Sequence, residues 1–422
     1  MKKILLMLGL AALAGSACGQ GSLTPPDAPG PTMKSLEEMQ PRTLIVSLPA
    51  TLANPGSYFI ETNLVCTSDN TDGITITANN VTIDLCGFTI SRTGSGTGYG
   101  ILQSTSIGTL TVRNGTVKGW TTGIRALGQR NQFQNIVVEN NVAGLWTGSS
   151  AVLSGCGAFG NVGDTAGYGL YAGDGSTITR CTASSNRATG GSASCYGIRG
   201  GAGAVITECV ALGNRPSAGL SCGIYAGAGS TIRRCASTEN DSGIDAEGGS
   251  SISDCFATRN YTVGVTASEA CNVSGSLIAL NGTIGLNGSS GCLVDRCLVS
   301  SNGSQGIMVG IGSSVKDCDV ADNGLTGIDA GSDCHLLRNH CVGNNGSAIY
   351  VNGQGTRIEN NLCTLNVYGI RLNQDNNLVL GNVARANSAG DYSLGSFNNY
   401  GAILTNPGMG FVSSNAWANF QF

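Results

Sequence analysis

The 422-residue chain is short of charge, histidine and rings. Lys, Arg, Asp and Glu together make up only 11% of it, against roughly a quarter in ordinary globular domains. The net charge is −4, or −6 once Lys2 and Lys3 leave with the first segment. Mild acidity with no basic patch argues against nucleic acid as a partner. There are two histidines, His335 and His340, and no two cysteines stand in C-x₂-C spacing. That removes the zinc arrangements built on near-neighbour ligand pairs, so neither a metal nor another cofactor is expected. The nine prolines lie almost wholly before residue 56, leaving the rest free for closely stacked strands. Beyond the opening residues, no apolar run is long enough to span a bilayer.

Those opening residues read as an export signal. Met1–Ala17 has a Lys-Lys start, an apolar run from Ile4 to Leu13 and small residues before Cys18, a pattern too short for a membrane span. Export to the outside or the cell surface is expected. Gly15-Ser16-Ala17-Cys18 resembles a bacterial lipobox, with Gly15 where that pattern carries Leu, and makes Cys18 the candidate lipid anchor. Residues 18–42 are read as a linker and N-terminal cap, with a short helix at Ser35–Met39.

What the chain has in abundance is glycine, 65 residues, and a 21-residue period. Gly followed by an apolar residue recurs at Gly243, Gly264, Gly285, Gly306 and Gly327, passes through Ala348 and resumes at Gly369. Each repeat closes on an Asn: Asn260, Asn281, Asn302, Asn323, Asn345, Asn366, Asn387. Inside it runs a fixed phrase, as in Ile252-x-x-Cys255-x-Ala257-x-x-Asn260. A period of this size means one stacked unit per repeat. The phrase fits a leucine-rich repeat in spacing, but the other half of each unit, for instance Gly306–Ser314, alternates with Gly breaks and would not hold a helix. A parallel β-coil remains, with like residues stacked in columns about 4.8 Å apart.

Phrases such as Asn80-Val-Thr-Ile-Asp-Leu-Cys-Gly-Phe88 and Ile358-Glu-Asn-Asn-Leu-Cys-Thr-Leu-Asn366 make the chain resemble the right-handed parallel β-helix, or pectin-lyase-like, superfamily, and in particular its secreted bacterial β-helix repeat proteins. The expected fold is all-β: about fourteen coils over residues 43–400, a short N-terminal cap, and a capping tail over 401–422. Ile252, Val273, Val294 and Val315 should stack inward. The fold itself hosts many functions.

Three columns stand out. Cys86, Cys156, Cys181, Cys209, Cys235, Cys255, Ser276, Cys297, Cys318, His340, Asn361 and Asn382 are read as one inward corner. In this family that corner usually carries an Asn ladder. Buried thiols, scattered disulfides and a metal array are its three readings, the thiols being favoured because neighbouring Cβ vectors run side by side. The preceding column alternates in sign (Arg180, Glu208, Arg234, Asp254, Gly275, Arg296, Asp317) and is expected to form a surface ion-pair ladder.

The third column lies two residues after each Gly. It carries Trp146, Tyr171, Arg199, Tyr225 and Asp245, beside three coils lengthened at one shared repeat position: 162–168, 187–196 and 215–222. Insertions of this kind tend to build a solenoid's binding face. Flat rings stack on sugar faces and Arg pairs with uronate carboxylates, although rings also favour strands for packing alone. The reading is a secreted or surface β-helix that binds extended polysaccharide, its uronates included, through these five residues without catalysis, or serves as a structural or adhesive rod. The alternative is a polysaccharide lyase or glycoside hydrolase. Gly-His-Gly, Asp-Asp and Trp-x-Asp-His motifs of pectate lyases and polygalacturonases do not occur. If the chain were a lyase, the resemblance would make Arg199 the base and Asp245 part of an acidic or Ca²⁺ subsite. Enzyme or binder stays open at this stage.

Overall fold

The computed structural model describes residues 41–103, 108–164, 166–190, 194–217, 221–405 and 415–422. The expected signal segment, Cys18 and the Ser35–Met39 helix lie outside the described residues, as do residues 165, 191–193 and 218–220 of the lengthened coils. Thr43–Phe422 forms a unit of its own, and every regular element described in it is a β-strand.

A single coil shows the plan. Val265–Ala267 pairs in parallel with the equivalent strands of the coils before and after it. After a turn come Asn272–Ser274 and then Leu277–Ala279, each again parallel to its equivalents. Stacking turns these into a 16-stranded sheet with one strand per coil and a 32-stranded sheet to which the regular coil gives two. Sixteen coils are therefore built where about fourteen were expected. Pairing continues into end coils such as Ala50–Leu52 and Gly390–Ser393, where the sequence repeat has faded. The final strand, Asn419–Gln421, lies between Val383–Arg385 and Ile403–Thr405.

The core is a set of columns. Ile252, Val273, Val294 and Val315 pair in successive coils as expected, all with no exposed surface. Burial of each such side chain contributes about 2 kcal/mol. The Gly period has a steric cause: a Cβ on Gly264 would sit 2.7 Å from the Gly285 carbonyl oxygen of the next coil and 2.5 Å from the Asn281 amide nitrogen.

That amide belongs to the principal polar ladder. Asn281 Nδ2 donates to the Ala257 carbonyl and to Asn302 Oδ1, and Asn302 Oδ1 also accepts from the Asn281 backbone N–H. The same bonds run from Asn141 through Asn161, Asn186, Asn214, Asn240, Asn260 and on to Asn387. Asn344, not Asn345, holds the place after Asn323. Likewise Asn339, not His340, follows Cys318 in the cysteine corner. The one additional residue of this coil is taken up in the turn at 352–355, after Val351, so everything before it keeps the 21-residue step. His340 faces outward instead, with Nδ1 3.2 Å from Asp319 Oδ1.

Cys156, Cys181, Cys209, Cys235, Cys255, Cys297 and Cys318 do line the corner, buried and as free thiols. Cys86 does not. It is exposed at φ 50°, while the adjacent Leu85 is buried. The fifteen buried cysteines among the described residues are free thiols. Burial pushes the Cys195 thiol up to about 12 and the Cys341 thiol well above its ordinary value.

The residues just before the corner take a left-handed backbone, Arg180 at φ 51° and Asp254 at φ 54° among them. This αL kink turns the chain between two strands without a glycine at each coil. Arg234 pairs with Glu208 at 3.0 Å and Arg338 with Asp317 at 2.7 Å. The ladder is interrupted, however. Asp254 pairs with Arg233 and Arg296 with Asp295, both off the column.

Candidate functional site

The lengthened coils carry extra structure at the position where they are longer. Val162–Gly163, Arg187–Ala188 and Arg215–Pro216 form a small three-stranded parallel sheet of their own. The returning strands are longer too: Ala166–Ala172 and Ser194–Gly200 against three residues in the regular coil. Ala188 and Cys195 pack together as a small separate apolar cluster beneath them. Beside this sheet lies a cavity of about 620 Å³, lined by Asn186, Arg187, Arg215, Pro216 and Ser217.

The five residues singled out from the sequence fall in one unbroken column. Trp146 pairs in register with Tyr171, Tyr171 with Arg199, Arg199 with Tyr225, and Tyr225 with Asp245. All five are half-buried. Trp146 and Tyr171 have ring centres 5.2 Å apart. The Arg199 guanidinium lies 5.0 Å from the Tyr171 ring, 5.1 Å from Tyr196 and 4.8 Å from Tyr225. Its Nε is buried without a hydrogen-bond acceptor, and among the described residues Arg199 forms no ion pair.

Sequence reasoning missed a second column three residues earlier. Tyr168 and Tyr196 stand there, paired in register and stacked at 5.8 Å with an interplanar angle of 5°. Tyr168 also meets Trp146 and Tyr171, at 6.2 and 5.6 Å. Their signal was available, since a Tyr directly precedes the repeat Gly in two of the three lengthened coils. On the other side, Arg125 extends the stripe. It lies 5.5 Å from the Trp146 ring and 5.2 Å from Tyr99, whose hydroxyl accepts a 2.6 Å bond from it.

The acidic end is less polar than its residue types suggest. Burial, then the neighbouring Glu247 carboxylate, raises the Asp245 carboxyl above its ordinary 3.8. The Tyr225 hydroxyl donates to Glu247 Oε1. Burial and that contact also raise the Tyr225 phenol.

The carboxylates are dispersed. Asp245 and Asp329 are four coils apart in their column, about 19 Å by strand spacing and beyond the reach of a glycosidase pair. Asp164 accepts from Thr189, and Asp174 caps the backbone at Ala202. Asp241 faces Arg215 and is raised by burial. Among the described residues no three His, Cys, Asp or Glu side chains gather to hold a metal, and no helix is long and apolar enough to cross a membrane.

Residues 282–421 match the protein family described as right handed beta helix region. No curated protein sequence matches the chain. Similar solved structures include the Azotobacter vinelandii mannuronan C-5 epimerase AlgE6 A-module, at 15% identity over 82% of this chain and 89% of that one, TM-score 0.39. The Dettilon tailspike protein (gp208) is similar at 13% identity over 86% and 62%, TM-score 0.33. The periplasmic alginate epimerase AlgG is similar at 11% over 83% and 76%, TM-score 0.31. Identities this low leave the functional argument to the chain's own geometry.

Proposed function

We propose that this chain, a right-handed parallel β-helix protein, binds an extended anionic polysaccharide along the stripe from Arg125 to Tyr225 without cleaving it. One observation carries the reading: Arg199, without an ion pair among the described residues, is held between three tyrosine rings on successive coils. Ring faces offer stacking surfaces to sugars, and a guanidinium offers paired donors to a uronate carboxylate. Holding a cation among rings keeps its charge and fixes its direction while leaving donors free. Export to the medium or the cell surface, with Cys18 as a lipid anchor, belongs to the same proposal.

A lyase is the second reading, supported by the raised carboxyl of Asp245 next to Tyr225. A group whose ionisation is shifted this way is a candidate for proton transfer. Incubation with a panel of uronate polymers separates the two. Binding predicts retention on immobilised polymer with no rise in ultraviolet absorbance from unsaturated products. A steady absorbance rise that Asp245→Asn abolishes would make the chain a lyase.

A further inference from the structure

We propose that Tyr350, Tyr368 and Arg371 form a second subsite for the same class of anionic polysaccharide, on the same sheet and eight coils along from Arg199. The proposal rests on the binding function inferred above. Pairing is continuous from Asp245 through Thr266, Asn287, Met308, Asp329 and Tyr350 to Arg371. The column from Arg199 to Arg371 therefore reads Arg-Tyr-Asp, three residues without a ring or a charge, then Asp-Tyr-Arg. Both ends offer the same chemistry in mirrored order.

The likeness extends to the neighbouring column. Tyr368 pairs with Ser347 three residues ahead of the Tyr350–Arg371 pair, the offset that Tyr196 has from Arg199. The Arg371 guanidinium lies 5.2 Å from the Tyr368 ring and 5.8 Å from Tyr350. Arg371 is exposed and forms no ion pair among the described residues. A concavity of about 250 Å³ opens there, lined by Thr326, Ser347, Tyr350, Val367, Tyr368 and Arg371.

Eight coils span about 38 Å at the usual strand spacing. A ligand longer than that can reach both ends, and the second contact then forms at high effective concentration. A short one fills each end separately.

The test is calorimetric titration of the whole chain with a galacturonate tetramer, alongside retention on long polygalacturonate. Two tetramers should bind per chain. Arg371→Ala with Tyr368→Ala should bind one, and retention of the polymer should fall at least about tenfold, since avidity gains run to 10²–10⁴. A matching melting temperature shows that the variant is folded. One tetramer per wild-type chain, lost in Tyr171→Ala/Tyr225→Ala and kept in the 368/371 variant, would overturn the second subsite and leave the first standing. No tetramer bound by the wild type would overturn both.

Discussion

Asn302 shows how a single side chain holds the stack. Its amide nitrogen donates to the Ile278 carbonyl and to Asn323, and its oxygen accepts from both the backbone and the side chain of Asn281. Asn302→Ala breaks all four at a buried site and strands their partners. The expected cost is about 4 kcal/mol, read from chemical denaturation. Cys318→Ser should cost less than about 1 kcal/mol. Ser276 already fills that corner, where its Oγ accepts from the Cys255 N–H. The thiols give a second readout. With burial holding Cys195 and Cys341 protonated, the buried cysteines among the described residues should react with thiol reagents only after unfolding. Several fast thiols in the folded chain would contradict the corner packing. The closing Asn repeat was legible because its period is strict. Which of Asn344 and Asn345 bears the ladder was not, because one extra residue can be absorbed in any turn of the coil. The αL kink was hidden for another reason: Arg180, Glu208 and Arg234 carry no compositional mark of left-handed backbone.

At the scale of the strand, the stripe is set by register. Trp146, Tyr171, Arg199, Tyr225 and Asp245 were legible as neighbours because counting from the repeat Gly is enough when strands pair in parallel. Tyr168 and Tyr196 were passed over because they stand one residue before the repeat Gly, outside a count that runs forward from it. Asp245 marks where the stripe ends, and its ionisation gives a pH signature. Its carboxyl takes a proton at higher pH than the ordinary 3.8, burial being the first cause and Glu247 the second. That stabilisation is present at low pH and lost as pH rises through the raised value. As pH falls from neutral towards 3.8, Asp245 loses its negative charge, so retention on a polyuronate should strengthen while the ligand is still ionised. Asp245→Asn should bind tightly at neutral pH with a flatter profile. An unchanged profile in that variant would place the titrating group elsewhere.

For the unit as a whole, stability and binding are carried by different parts. Columns of buried Ile, Val, Cys and Asn build the coils, and each coil needs only its neighbours. The stripe stands on the outside of one sheet, where substitutions cost the stack little. The fold was legible because periodicity repeats the same statement many times. The site was only half legible, because rings on an outer strand serve packing and binding alike and only their distances to Arg199 separate the two. The most direct test is to replace Tyr171 and Tyr225 by Ala together and measure polyuronate affinity and melting on the same samples. Affinity should fall at least about tenfold, or ~1.4 kcal/mol, with stability lowered by less than about 1 kcal/mol per site. A fold weakened by several kcal/mol per site, or a well-folded variant that binds as the wild type does, would show that the rings serve packing and that the stripe is not the binding site.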